Sequence, residues 1–338
     1  MKAIKFFAIT AMAAAMITSC SSEDELSQSN YPSDNIIRVT AGVNNAKTRA
    51  EGQGVSAMDK DFSLTVVNKN TESTLPSKYT YIDKVFSKKS GDWACSETLL
   101  WQNDKTPVDI VAFAPAQENK FSGVYAEGSI KPITYSVADD QSTSSDNNDL
   151  LYYYTPGFVP GGTNLDKDGK LSIQFNHAFC MIDINVTLGT EFNKPEVLKE
   201  SPIVKVTLGG TKIEANVDVT KAATSVVTAS ETAAATDITT TKGTFDKAAN
   251  AEANAISHFS CIAIPQKVGA NTFKVSLMTA GKRYEWTSAA PVELKSGYRY
   301  TLNLTMGNDV VLLKGGSDGI TATPWTTGDT GDKPLETD

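Results

Sequence analysis

Two histidines, four cysteines and a few paired carboxylates are the side chains in this 338-residue chain suited to acid–base, nucleophilic or metal chemistry. His177 and His258 each stand alone, with no second histidine or cysteine at ligand spacing, so no zinc-type site is read. His177, between Phe175 and Phe179, reads as a structural histidine. The chain has no G-x-S-x-G, no P-loop and no G-x-G-x-x-G, which removes the nucleophile elbow and the phosphate-cradling loops. Asp139-Asp140 and Asp146…Asp149 fall in a Ser/Asn-rich stretch. Such oxygens suit calcium, but the spacing is not that of an EF-hand, and a solvated loop is the plainer reading. Two carboxylates suffice for glycoside hydrolysis, and nothing in the pattern points to it. The residue types therefore predict no catalytic set, no metal site and no cofactor.

One cysteine does carry a chemical signature. Lys2 and Lys5 precede an apolar run from Phe6 to Ile17, roughly a dozen residues and too short to span a bilayer as a helix. It ends in Ile17-Thr18-Ser19-Cys20, which resembles a bacterial lipobox. The Cys20 thiol is the nucleophile that would accept a diacylglyceryl group, and buried acyl chains contribute about 0.8 kcal/mol per CH2. Residues 1–19 are thus expected to be a lipoprotein signal peptide. The following Ser21-Ser22-Glu23-Asp24-Glu25 is similar to the acidic export signal of Bacteroidetes surface lipoproteins and also suits a solvated tether. The lipobox and export-signal resemblances imply the outer membrane and the cell surface. Cys95, Cys180 and Cys261 are odd in number and widely spaced, so they form no disulfide framework. Cys180 and Cys261 sit in apolar runs and read as small core residues, whereas Cys95 has no such setting.

The formal charge is −8, and removal of the signal leaves 29 basic against 39 acidic residues, a balance of −10. An acidic chain without a basic cluster argues against nucleic-acid binding. A mature body of about 300 residues suggests two domains.

The elements that must position these residues are strands. Ile37, Val39, Ala41 and Val43 alternate with polar or small residues, and so do Val204, Val206 and Leu208. The same holds for Ile213 to Val219, Phe273 to Leu277 and Tyr298 to Leu304. Period two places one set of side chains on one sheet face. Turn residues such as Pro160-Gly161-Gly162, Asp168-Gly169 and Ser296-Gly297 separate the runs. No long stretch has a helical period, so the chain reads as all-β, built of β-sandwiches. Leu171, Ile173 and Phe175 alternate on odd positions and Cys180 to Leu188 on even ones. A bulge or break near Asn176-His177-Ala178 would produce that change of phase. The domain boundary is placed after the polar loop, at 168/169. Residues 221–256, rich in Ala and Thr, are expected to be irregular surface. Tyr152-Tyr153-Tyr154, Trp93 and Trp101 could stack on sugar rings, though such aromatics in sandwiches usually serve as core or cross-strand pairs.

Taken in order, these motifs resemble the FimA-type fimbrillin family of Bacteroidales, the subunits of type V pili. The likeness is carried by the lipobox at Cys20, Ile36-Ile37-Arg38-Val39-Thr40, Lys47-Thr48-Arg49-Ala50 and Leu100-Trp101. It continues through Val108 to Pro115, Asp149-Leu150-Leu151-Tyr152, Leu171 to Ala178, Gly297-Tyr298-Arg299-Tyr300 and Ile320 to Trp325. The resemblance implies two transthyretin-like Greek-key β-sandwich domains in tandem, at 50–168 and 169–338. It implies that an Arg-specific surface protease cuts at Arg49-Ala50, removing residues 20–49 with the strand that bears Ile37, Val39, Ala41 and Val43. A strand from another fimbrillin subunit then fills the groove, giving a polymer, a fimbrium, that supports adhesion.

Such strand addition restores both main-chain pairing and side-chain burial, and a head-to-tail contact that does not close makes filaments. The donor is expected within 309–325, carrying Val311, Leu313, Ile320, Ala322 and Trp325 on two short runs joined by Gly315-Gly316-Ser317-Asp318-Gly319. The same runs could instead complete their own sheet. Two other roles fit the pattern: a tip adhesin that binds a host ligand or glycan, and a surface glycan-binding lipoprotein. Stalk, tip and anchor are not separated by the residues.

Overall fold

The computed structural model describes residues 29–44, 55–70, 72, 75–143, 148–194, 196–308, 310–313 and 320–325. Cys20, Arg49 and Ala50 lie outside the described residues. The fold is all-β. Among the described residues, regular structure is strand apart from the four-residue helix Leu75–Lys78 and short 3-10 turns.

Two hydrophobic cores organise the chain. The first lies within an eight-stranded sheet ordered Val55–Ala57, Val39–Asn44, Leu171–His177, Leu151–Phe158, Val108–Ala114, Phe62–Asn68, Tyr81–Lys89 and Asp92–Cys95. The sheet curls until Val39–Asn44 meets Asp92–Cys95, enclosing Phe62, Leu64, Trp101, Ile110, Ile173 and Phe175. The second core lies between a sheet built on Cys180–Leu188, Ala255–Ala263 and Tyr298–Met306 and another built on Ile203–Gly209, Lys274–Thr279 and Arg283–Thr287. Among the described pairs two are parallel: Val39–Asn44 with Leu171–His177, and Cys180–Leu188 with Tyr298–Met306. Parallel neighbours need a long connection, so neither pair is a hairpin.

Val108–Ala114 is buried at all seven positions. Val108, Ile110, Ala112 and Ala114 belong to the first core, and Val111 and Phe113 to the second. Leu151 and Tyr152 divide in the same way. A strand covered on both faces reads as a continuous apolar run instead of an alternating one. The two bodies therefore share a packed seam.

The sheets do not follow the boundary at 168/169. Leu171–His177 is hydrogen-bonded within the first sheet, and the chain changes sheet between His177 and Cys180. Ile133–Ser136, on the other side, pairs with Glu214–Val217 next to the second core. The polar loop before Leu171 returns the chain to the same sheet, and the change of sheet coincides with the phase change near His177. Residues 221–256 are likewise more regular than their composition suggests. They form strands Val227–Ala229, Ile238–Thr239 and Thr241–Asp246, with Ile238 fully buried. Val204 departs from its alternating pattern: a register shift between Ile203 and Lys205 turns it outward to 60% exposure, while Ile203 is buried. An extra residue in one strand of a pair has this effect.

Candidate functional site

The first strand is an interior member of its sheet. It lies between Leu171–His177 and Val55–Ala57, with Val39 opposite Leu171, Ala41 opposite Ile173 and Val43 opposite Phe175. Ile37, Val39 and Val43 are buried to 4%, 3% and 2% exposure, and Ala41 packs against the same core. Each of the larger three contributes roughly 1.5–3 kcal/mol by leaving water.

The seat extends ahead of the strand. Asn30 donates its main-chain N–H to Gly162 O at 2.9 Å and its side-chain amide to Leu165 O at 3.0 Å. Ile37 N–H donates to Leu99 O at 2.9 Å, and Trp101 N–H to Asn35 O at 2.8 Å. Leu171 N–H donates to Arg38 O at 2.8 Å. Gly169 has φ +72°, and a Cβ there would lie 2.9 Å from Asn30 O, so both the backbone and the close approach call for glycine. On the outer side the Arg38 guanidinium forks onto Asp34 at 2.9 and 2.5 Å. That contact, with the Ile36 N–H, holds the exposed Asp34 carboxyl at about 2. The segment 30–35 and the seat on Leu99–Trp101 and Gly162–Leu165 leave no sequence signal, because these contacts have no period.

The two C-terminal runs share one edge of Tyr298–Met306. Val311–Leu313 pairs with Leu304–Met306, and Ile320–Pro324 pairs with Tyr298–Leu302. In this structure both complete their own sheet. Their seating is light compared with that of the first strand. Val311 is buried, but Val310 and Leu312 are 50% and 59% exposed. Ala322 is exposed with its neighbours Thr321, Thr323 and Pro324, whereas Ile320 and Trp325 are half-buried.

The remaining chemistry-bearing residues do not converge. His177 Nδ1–H donates to the Asp149 carboxylate at 2.9 and 3.1 Å, and both residues are buried. His258 lies between Asn185 and Asp246, at 2.8 and 2.9 Å. Cys180 and Cys261 are fully buried, and that burial raises both thiols far above their ordinary value. Cys95 is half-buried at the end of the first sheet. No group of three or more His, Cys, Asp or Glu among the described residues could hold a metal ion.

Trp101 and Tyr152 are core residues, Trp93 packs edge-on against Phe62 at 4.9 Å, and Tyr153 leans on the first core. A surface cleft lined by Asp139, Asp140, Asp237, Lys205 and Arg283 has no aromatic in its lining. Carboxylates and aromatics therefore do not share a cleft there.

These features define an all-β protein of two joined sandwich bodies whose first strand is an interior member of the first sheet. The family described as fimbrillin-like matches residues 48–325, and the chain belongs to that family. A comparison with curated proteins returned no match. Among solved structures, a candidate cell adhesion protein from Bacteroides ovatus is similar with a TM-score of 0.60 at 16% identity, covering 87% of this chain and 99% of that one. A candidate cell adhesion protein from Bacteroides uniformis gives 0.54 at 15% identity, with 87% and 100% coverage. A fimbrial protein from Bacteroides vulgatus gives 0.51 at 16% identity, with 86% and 99% coverage. At such identities the likeness is one of fold.

Proposed function

We propose that this chain is a structural pilus subunit that assembles by strand exchange after proteolysis at Arg49-Ala50. The observation that carries the reading is the interior parallel strand Val39–Asn44, with Ile37, Val39 and Val43 buried to 4% or less. Its loss would leave unpaired main chain along Leu171–Phe175 and Val55–Ala57, and empty apolar sites between them. A donated strand restores both.

The arginine distribution supports selective cutting. The chain has four arginines, Arg38, Arg49, Arg283 and Arg299, among 31 basic residues. Arg283 and Arg299 lie in paired strands, with Arg299 bound to Asp183. Arg38 is engaged by Asp34, and its carbonyl accepts the Leu171 N–H. Proteases bind extended, locally unfolded chain, so Arg38, Arg283 and Arg299 are poor sites, and Arg49, between Thr48 and Ala50, is the arginine an Arg-specific enzyme would select. In this reading the lipid on Cys20 holds the precursor at the outer membrane until the cut, and the lightly seated strands within 309–325 are the donors to the next subunit.

The test is treatment of the purified precursor with an Arg-specific protease. The parent chain is expected to start at Ala50 and to form filaments, and Arg49→Ala to do neither. Equal assembly of the two would sink the reading.

A further inference from the structure

We propose that the strand Leu171–His177 interlocks the two ends of the molecule, so that emptying the first-strand groove loosens the C-terminal strand Ile320–Pro324. The role assigned to this coupling rests on the strand-exchange reading: donor and acceptor surfaces would become available together.

The link is physical and continuous. On one edge Leu171–Phe175 is paired over five residues with Val39–Val43. On the other, the strand is paired with Leu151–Phe158 only at Leu151↔His177 and Tyr152↔Asn176. The first strand is therefore its main lateral support.

At the end of the same strand His177 is fixed by Asp149, and the imidazole stacks on the Trp325 indole, with centroids 3.8 Å apart and planes at 16°. Its Nε2 is buried and has no partner, so the ring's placement depends on Asp149, the strand and the stack. Trp325 in turn donates its main-chain N–H to Gly297 O at 2.8 Å, and the Gly297 N–H donates to Phe179 O at 2.9 Å, next to the joint between the two bodies.

Ile320–Pro324 has one ladder, to Tyr298–Leu302, and four exposed side chains. The ring contact at its end is thus a large share of what seats it. When Leu171–Phe175 loses its neighbour, the strand that leads into His177 is held, among the described residues, only by the two pairs at Asn176 and His177 and by the Ala178 N–H on Leu150 O. The His177 ring then moves more freely, the stack weakens, and the C-terminal strand opens more often. Local opening of this kind is set by how few buried contacts a segment makes. The coupling is also reciprocal.

Hydrogen exchange read by mass spectrometry on the intact chain tests this without protease or partner subunit. Val39→Asp places a charge in the first core and unseats the first strand, and Val39→Ala gives the same direction more gently should that variant not fold. Exchange within 320–324 and 298–302 is expected to accelerate roughly tenfold. Trp325→Ala, at a half-buried position, is expected to accelerate the same segments by itself. In the double variant the two effects should not multiply.

Faster exchange at 171–175 with no change at 320–324 in the Val39 variants would overturn the coupling. So would independent, multiplicative effects in the double variant. Failure of cleavage or of filament growth bears on the assembly reading alone, because neither enters this measurement.

Discussion

Ile37 donates its backbone N–H to the carbonyl of Leu99 at 2.9 Å, ahead of the strand that begins at Val39. The N-terminal segment is therefore seated by two different parts of the first body: Leu99–Trp101 before the strand begins, and Leu171–Phe175 along it. A segment entering this groove meets both.

Ile37→Ala removes a side chain that is 4% exposed in the first core. Such truncations cost about 2–4 kcal/mol, so the precursor should unfold at lower denaturant with an unchanged slope. Protein from which residues 20–49 have been removed no longer contains the site and should match the parent. Equal midpoints for the two precursors would show that Ile37 contributes no burial energy.

Gly169→Ala should strain a φ of +72° and push a methyl toward Asn30 O. The backbone part costs roughly 1 kcal/mol and persists after cleavage. The contact with Asn30 does not. The destabilisation measured by chemical unfolding should therefore be larger in the precursor than in the cleaved protein.

Asp34 gives a pH signature. Its carboxyl is held at about 2, below the ordinary 3.8, first by the Arg38 guanidinium and then by the Ile36 N–H. A depressed carboxyl contributes fully above its unfolded value and loses that contribution as the pH falls through the folded one. The window is thus from about pH 4 down to about pH 2, and the effect is small because the pair is exposed. Carbon-13 titration by NMR should show Asp34 moving back toward the ordinary range in Arg38→Gln.

Thiol labelling should separate the cysteines. Cys180 and Cys261 are fully buried, and their thiols are raised far above the ordinary value by desolvation. Thiolate is the reactive form. Iodoacetamide at pH 8 should therefore label Cys95 in the folded protein and reach the other two only on unfolding, as peptide mapping would show.

Much of this was legible in local pattern. Leu171, Ile173 and Phe175 face the first core, and Cys180, Ile182 and Ile184 the second, as their opposite phases require. His177, read as structural, is buried against Asp149. What escaped was set by neighbours. Val204 faces outward because of one extra residue in its pairing. Val108–Ala114 serves two cores, which a single apolar run cannot announce.

The sequence by itself determined the regularly alternating strands, such as Leu171–Phe175 and Cys180–Leu188, with their inward faces, and the family, because side-chain alternation is a local property with period two. Only the tertiary structure decided that Val39 lies parallel to Leu171, that Leu171–His177 belongs to the first sheet, and that Trp325 covers His177. An alternating strand presents the same faces whichever neighbour it pairs with. The choice of edge is made by packing between residues far apart in the chain.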